Sequence, residues 1–148
     1  MIRRITKMQK KIVGIGKFVF SVFISFLIWD FVTWFIGIFA LGLINKINND
    51  ILSLIGVFTI WILKSFIIIT LTYMSNRNKR VAKYQLEKAK IICLIIFYVL
   101  IIGFNISEIT NGIIATPTIW SIVTIFHIFL IAFINEIMYK RWIYNEKK

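Results

Sequence analysis

One cysteine and one histidine in 148 residues set narrow limits on the chemistry of this chain. Cys93 has no second cysteine with which to close a disulfide, and its surroundings read as those of a small buried or lipid-facing residue. A lone Cys with a lone His, His127, cannot supply a common zinc site, so neither a metal nor a cofactor is expected. Acids are scarce as well, six Asp and Glu against eighteen Lys and Arg. Asp30, Asp50, Glu108 and Glu136 lie at different depths rather than in pairs, which leaves no two-carboxylate arrangement for general acid–base work. Nucleophile-elbow glycines, a Walker loop, HExxH and CxxC are all missing. No catalytic residue is expected, and the chain reads as non-enzymatic.

What is abundant is apolar. Hydrophobic residues make up 59% of the chain and charged ones only 16%, against about 45–50% and about 25% in a soluble domain. Four apolar runs, about 18–44, 51–73, 90–110 and 117–139, are each long enough to be read as a crossing of a bilayer, which takes about 20 helical residues. The third is the shortest, strictly apolar only from Ile91 to Phe104, and it must draw Asn105–Thr110 into its outer turns. Those turns would set Asn105, Ser107 and Glu108 at or just under the outer surface. The fourth begins at Thr116-Pro117, an N-cap followed by proline at the first helical position, with Trp120 marking the outer boundary. The fold class predicted is therefore all-α, a single membrane domain of four helices in an antiparallel bundle. The first run far exceeds the 7–15 residues of a secretory core and is read as a retained anchor.

The net charge of +12 follows the same plan. Six cations precede the first run, six lie in the 74–90 loop, and four sit in the tail. That alternation puts both termini and the 74–90 loop in the cytoplasm, against an anionic leaflet of the plasma membrane. It accounts for the basicity without nucleic acid, which is not expected as a partner. Arg77, Lys79, Arg80, Lys83, Lys140 and Arg141 form the predicted cytoplasmic basic surface. The segment Ile2–Lys17 is either an amphipathic helix on that surface or a frayed topology signal. Residues Val81–Lys90 have helix-forming composition and run into the third span, with Glu87 in reach of Lys83 and Lys90.

Three ionisable residues fall inside the runs. Asp30 lies 12 residues past Phe18, His127 lies 12 residues before Tyr139, and Lys64 lies nine before Tyr73. At about 1.5 Å per residue these are depths of about 18, 18 and 13–14 Å, one level once the reach of lysine is counted. Two readings stand side by side. In one, Asp30 and Lys64 form an ion pair with His127 hydrogen-bonded nearby, and the cluster fixes helix register. In the other, the three line a polar path for a proton, ion or ligand. Phe23, Phe26, Thr33, Trp34 and Gly37 share the Asp30 face, which is read as turned toward the other helices. On the fourth helix Trp120, Thr124, His127, Ile131 and Asn135 share a face, and Thr124 and Asn135 are read as polar helix-packing residues. Glu136 points the opposite way and is expected to pair with Lys140.

At Phe35-Ile36-Gly37-Ile38-Phe39-Ala40-Leu41 and Leu52-Ser53-Leu54-Ile55-Gly56-Val57-Phe58 the chain resembles the YrvL-type small regulatory membrane proteins of bacilli. Ile106-Ser107-Glu108-Ile109-Thr110, leading to Pro117, is similar to that family's last third. The resemblance implies a membrane-embedded regulator of a Gram-positive bacterium that restrains a transcription factor or its partner by protein contact and brings no catalytic residues. Two other functions suit the same pattern. One is a self-immunity protein against a membrane-active peptide or toxin, which the outward Asn105–Thr116 loop and the bundle would bind. The other is a small transporter or channel subunit, working as a homo-oligomer around Asp30, Lys64 and His127.

Overall fold

The computed structural model describes residues 11–44, 46–105 and 117–144. Within them the chain is mainly helical, with two short extended pieces and brief turns between the elements: α1 (Ile15–Ile44), α2 (Asp50–Ser75), α3 (Leu86–Phe97) and α4 (Pro117–Tyr139). Three stretches, Ile15–Ile44, Asp50–Ser75 and Ser121–Tyr144, are long and apolar enough to cross a membrane. Helix α1 has 30 residues, about 45 Å at 1.5 Å each, well beyond a hydrocarbon core of about 30 Å.

Each boundary has a local cause. The carboxamide oxygen of Asn49 accepts the backbone N–H groups of Ile51 and Leu52, both at 3.1 Å, and so caps α2. Asp50 then sets a negative charge in the first turn, where the helix dipole favours it. Helix α3 is entered through a 3-10 turn, Lys83–Gln85, so the helix expected from Val81 starts two residues later and becomes α-helical at Leu86. The part of the N-terminal segment that is described does not start as a helix. Lys11–Ile12 (β1) pairs in parallel with Lys79–Arg80 (β2), and the Val13 N–H donates to the Arg80 carbonyl at 2.8 Å. Residues 1–10, the 106–116 loop with Ser107 and Glu108, and the tail lysines Lys147 and Lys148 lie outside the described residues, as do the side chains of Pro117 and Trp120.

The packing is concentrated toward the end that holds β1 and β2. Phe18, Val22 and Phe26 of α1 meet Ile68, Ile69 and Tyr73 of α2, Ala89, Cys93 and Phe97 of α3, and Ile131, Ile134 and Met138 of α4. Phe97 is central there, stacked on Phe26 and edge-on to Tyr73, both at 5.5 Å between ring centres. The far end is thinner, with Ile44, Val57 and Trp61 as its buried apolar residues. The far half of α1 is accordingly uncovered on most sides. Trp34 is 50% exposed, which corrects the expectation that it packs between helices; its ring lies against Phe35 instead. Trp29 reaches across to α2, donating from Nε1 to Ser75 Oγ at 2.9 Å.

After α3 the chain widens into a π-helical turn, Tyr98–Ile102, and remains helical to residue 105. The buried positions Cys93, Phe97, Ile101 and Asn105 recur every fourth residue. In a regular α-helix each step of four overshoots a full turn by about 40°, so the face would drift off the core. A π turn absorbs one additional residue and keeps all four facing inward.

Candidate functional site

Helices α1 and α2 bring Asp30 and Lys64 together, with Lys64 Nζ 3.3 Å from Asp30 Oδ1 and side-chain exposures of 18% and 16% respectively. This is the ion pair of the first of the two readings. His127 is not its third member. It is fully buried, stacked against Trp61 with ring centres 6.0 Å apart, and held at both nitrogens. Nε2 lies 2.8 Å from Ser65 Oγ, and Nδ1 lies 2.9 Å from Asn105 Nδ2.

The directions of these bonds follow from the donors available. Ser65 Oγ donates its only hydrogen to the Trp61 carbonyl at 2.8 Å. It must therefore accept from His127 Nε2–H, which leaves Nδ1 bare to accept from the Asn105 amide. The network assigns a neutral imidazole with its proton on Nε2. Beside the ion pair lies a cleft of about 10 Å³, lined by Asp30 and Lys64 and also by Ser65 and Asn105, the hydrogen-bond partners of His127. That is room for about one water molecule. The two polar groups adjoin without touching.

Asn105, expected in the outer turns of the third span, is 7% exposed and turned to the core against His127. The π turn is the reason, and nothing in an all-apolar run announces such a turn. Ser65 and Trp61 were likewise invisible as partners of His127, because a serine one turn from a tryptophan in an apolar helix is ordinary. The other predicted packing residues divide. Asn135 is buried and accepts from Tyr73 Oη, while Thr124 is half-buried and has no side-chain hydrogen bond among the described residues.

A second polar knot, also unforeseen, ties α1 to the end of α2. Asn76 is 1% exposed. Its oxygen accepts from Ser21 Oγ at 2.6 Å and from Lys79 Nζ at 3.3 Å, and its nitrogen donates to Ser25 Oγ at 3.0 Å and to the Thr72 carbonyl at 2.8 Å. Lys79 Nζ also donates to Ser21 Oγ. Replacing Asn76 with alanine strands these groups. We expect it to lower stability by about 2–3 kcal/mol, read as a fall in the Tm of the detergent-solubilised protein, with Arg77→Ala next to it nearly silent.

The knot alters the reading of the basic surface. Arg77, Lys83, Lys140 and Arg141 are exposed, whereas Lys79 and Arg80 are half-buried and form β2. Lys79 is thus a structural cation. Arg141 lies over the Trp142 ring at 5.5 Å. Glu136 binds Lys140 at 2.8 Å, as expected, and also takes Lys90 at 2.8 Å, while Lys90 reaches Glu87 at 2.7 Å. The chain of ions from Glu87 to Lys140 joins α3 to α4 and uses two of the chain's six acids. Among the described residues no three of His, Cys, Asp and Glu converge on a point.

No protein-family model matches the chain, and neither a curated protein nor a solved structure matches it.

Proposed function

We propose that this chain is a multi-pass protein of a Gram-positive plasma membrane that restrains a partner protein by contact, without chemistry of its own. In this reading the segment from Leu86 through residue 105 is a further crossing, both termini and the β1–β2 pair are cytoplasmic, and the cations follow the positive-inside rule. The observation that carries the reading is the construction of the basic end. Pairing of Lys11–Ile12 with Lys79–Arg80, together with the Asn76 knot, gives the 74–90 loop a fixed shape. Glu87 and Glu136 are engaged by Lys90 and Lys140. Arg77, Lys83 and Arg141 are left pointing outward on an ordered scaffold, suited to an acidic protein surface. The resemblance to YrvL-type regulators supports the same conclusion. The transport reading has less support: the charges in the apolar region neutralise one another, and the cleft beside them holds about one water.

The test is a comparison of strains. Deleting the gene should release a set of transcripts, and the triple variant Arg77→Glu, Lys83→Glu, Arg141→Glu, inserted at wild-type level, should release the same set. Asp30→Asn, if still inserted, should leave transcription as in the wild type. Normal repression by the triple variant would overturn the reading, and so would a transcriptional phenotype of Asp30→Asn in a folded protein.

A further inference from the structure

The β1–β2 pair joins two segments of like charge. Residues 1–17 carry six cations and no acid, and residues 74–86 carry Arg77, Lys79, Arg80 and Lys83, again with no acid. The parallel register sets Lys11 opposite Lys79 and Ile12 opposite Arg80, on strands that lie about 5 Å apart. Like charges held at that spacing repel. Among the described residues the acids of this end are Glu87 and Glu136, and both are taken up by Lys90 and Lys140. Against the repulsion stand two paired residues on each strand, and Ile12, 68% exposed, adds little burial. A two-stranded pair is marginal in water by itself. Lys79, turned back onto Ser21 and Asn76, anchors β2, so β1 is the strand that has to be held.

The side chains around this end indicate what holds it. On α3 the exposed row Ile95, Ile91, Lys88 and Tyr84 passes from apolar to cation and phenol, in steps of three or four residues. On α4 and the turn after it, which adjoins β2, the exposed row Phe133, Ile137, Arg141 and Tyr144 makes the same passage. On α1, Lys17 stands one turn before the exposed Phe20. Cations and aromatic rings at the edge of an apolar face mark the headgroup layer of a bilayer. Tyr84, 85% exposed, and Ile12 both lie uncovered among the cations. A soluble anion would neutralise the charge and leave these apolar groups in water. An anionic phospholipid meets both, with its phosphate on the cations and its glycerol and upper acyl region on the rings.

We infer that the β1–β2 pair is a latch closed by anionic phospholipid: headgroup phosphates of the cytoplasmic leaflet lie against the two basic segments and hold β1 on β2. This rests on the proposed function, which places this end at the cytoplasmic face, and deepens it, since the shape offered to the partner protein then depends on the lipid.

The test uses the full chain as the double variant Ile12→Cys, Asn78→Cys, two exposed neutral positions on the paired segments, each carrying a nitroxide label. Cys93 is buried and does not take the label. The protein is placed in vesicles of phosphatidylcholine, alone or mixed with phosphatidylglycerol. Both leaflets have the same composition, so the direction of insertion is immaterial. Dipolar broadening between the labels reads the closed fraction. At about 10 mM salt, where the screening length is about 30 Å, phosphatidylglycerol should raise the ratio of closed to open chains about fivefold, the effect of one basic residue near an anionic surface. At about 1 M salt the screening length falls to about 3 Å, and the two lipids should give the same ratio. Lys11→Glu, which sets an opposite charge against Lys79, should be closed in both lipids at low salt. Equal closure of the labelled chain in the two lipids at low salt would overturn the inference, as would a Lys11→Glu chain that still needs phosphatidylglycerol. Closure in phosphatidylcholine by inorganic phosphate, beyond a chloride control of the same ionic strength, would assign the latch to a free anion instead. The same closure by an acidic peptide would assign it to a protein. The vesicles contain no partner protein, so this result and the transcript test can each fail with the other intact.

Discussion

Asp30→Ala and Lys64→Ala are each expected to destabilise the protein by about 3 kcal/mol or more, and the double variant to recover about 2 kcal/mol of the summed loss. Removing one partner leaves the other charge at a depth where insertion alone costs on the order of 2.5–3.5 kcal/mol. Removing both leaves an apolar wall where the pair stood. The two single losses should differ. An unpaired Lys64 has a long stem with which to swing its ammonium toward polar groups, whereas an unpaired Asp30 has no such reach. Lys64→Ala should therefore be the more harmful. Reversible unfolding of the four proteins in micelles gives the cycle directly. Additive losses would show that the 3.3 Å contact carries no coupling energy.

The pair was legible because depth is legible. When a helix advances about 1.5 Å per residue, two opposite charges on antiparallel neighbours can be placed at one level from their distance to the helix ends. The helix limits were legible for a related reason. Runs at 18–44 and 51–73 became helices at Ile15–Ile44 and Asp50–Ser75, and the run from Pro117 to Tyr139 became α4 without a shift. The Glu136–Lys140 contact follows from i,i+4 spacing alone. What stayed hidden depends on rotation rather than on depth. In a segment such as Ile91 to Phe104 nearly every side chain is apolar, so no stripe distinguishes the buried face, and a one-residue π insertion passes unnoticed while it turns Asn105 inward. The Trp34 error has the same origin, because sharing a face with Asp30 does not say how far along the helix a neighbour extends. The Asn76 knot was hidden by chemistry of another kind. Ser75 to Arg80 looks like a solvated charge cluster, and only the fold shows that Asn76 and Lys79 turn back onto Ser21 and Ser25.

His127→Ala is expected to cost about 3–5 kcal/mol. It opens a cavity against Trp61 and leaves the Asn105 amide without the acceptor it now has in the core. Asn105→Leu should cost about 1–3 kcal/mol, since it takes away the only donor to Nδ1 among the described residues and leaves that nitrogen buried and bare. Combining His127→Leu with Asn105→Leu should be far milder than the sum, because both ends of the bond become apolar together and Ser65 keeps its bond to the Trp61 carbonyl. Deleting Val99, an exposed residue of the π turn, tests the geometry behind this. With one residue removed, the inward positions from Cys93 to Asn105 fall at steps of four, three and four, the spacing of an ordinary α-helix. The shortened chain should keep Asn105 on His127 and lose no more than about 1 kcal/mol. Tm measurements on the deletion alone and on the deletion with Asn105→Leu decide it. A deletion that already costs what Asn105→Leu costs, with no further loss when the two are combined, would mean that Asn105 had left the core. The π turn would then not be the device that places it there.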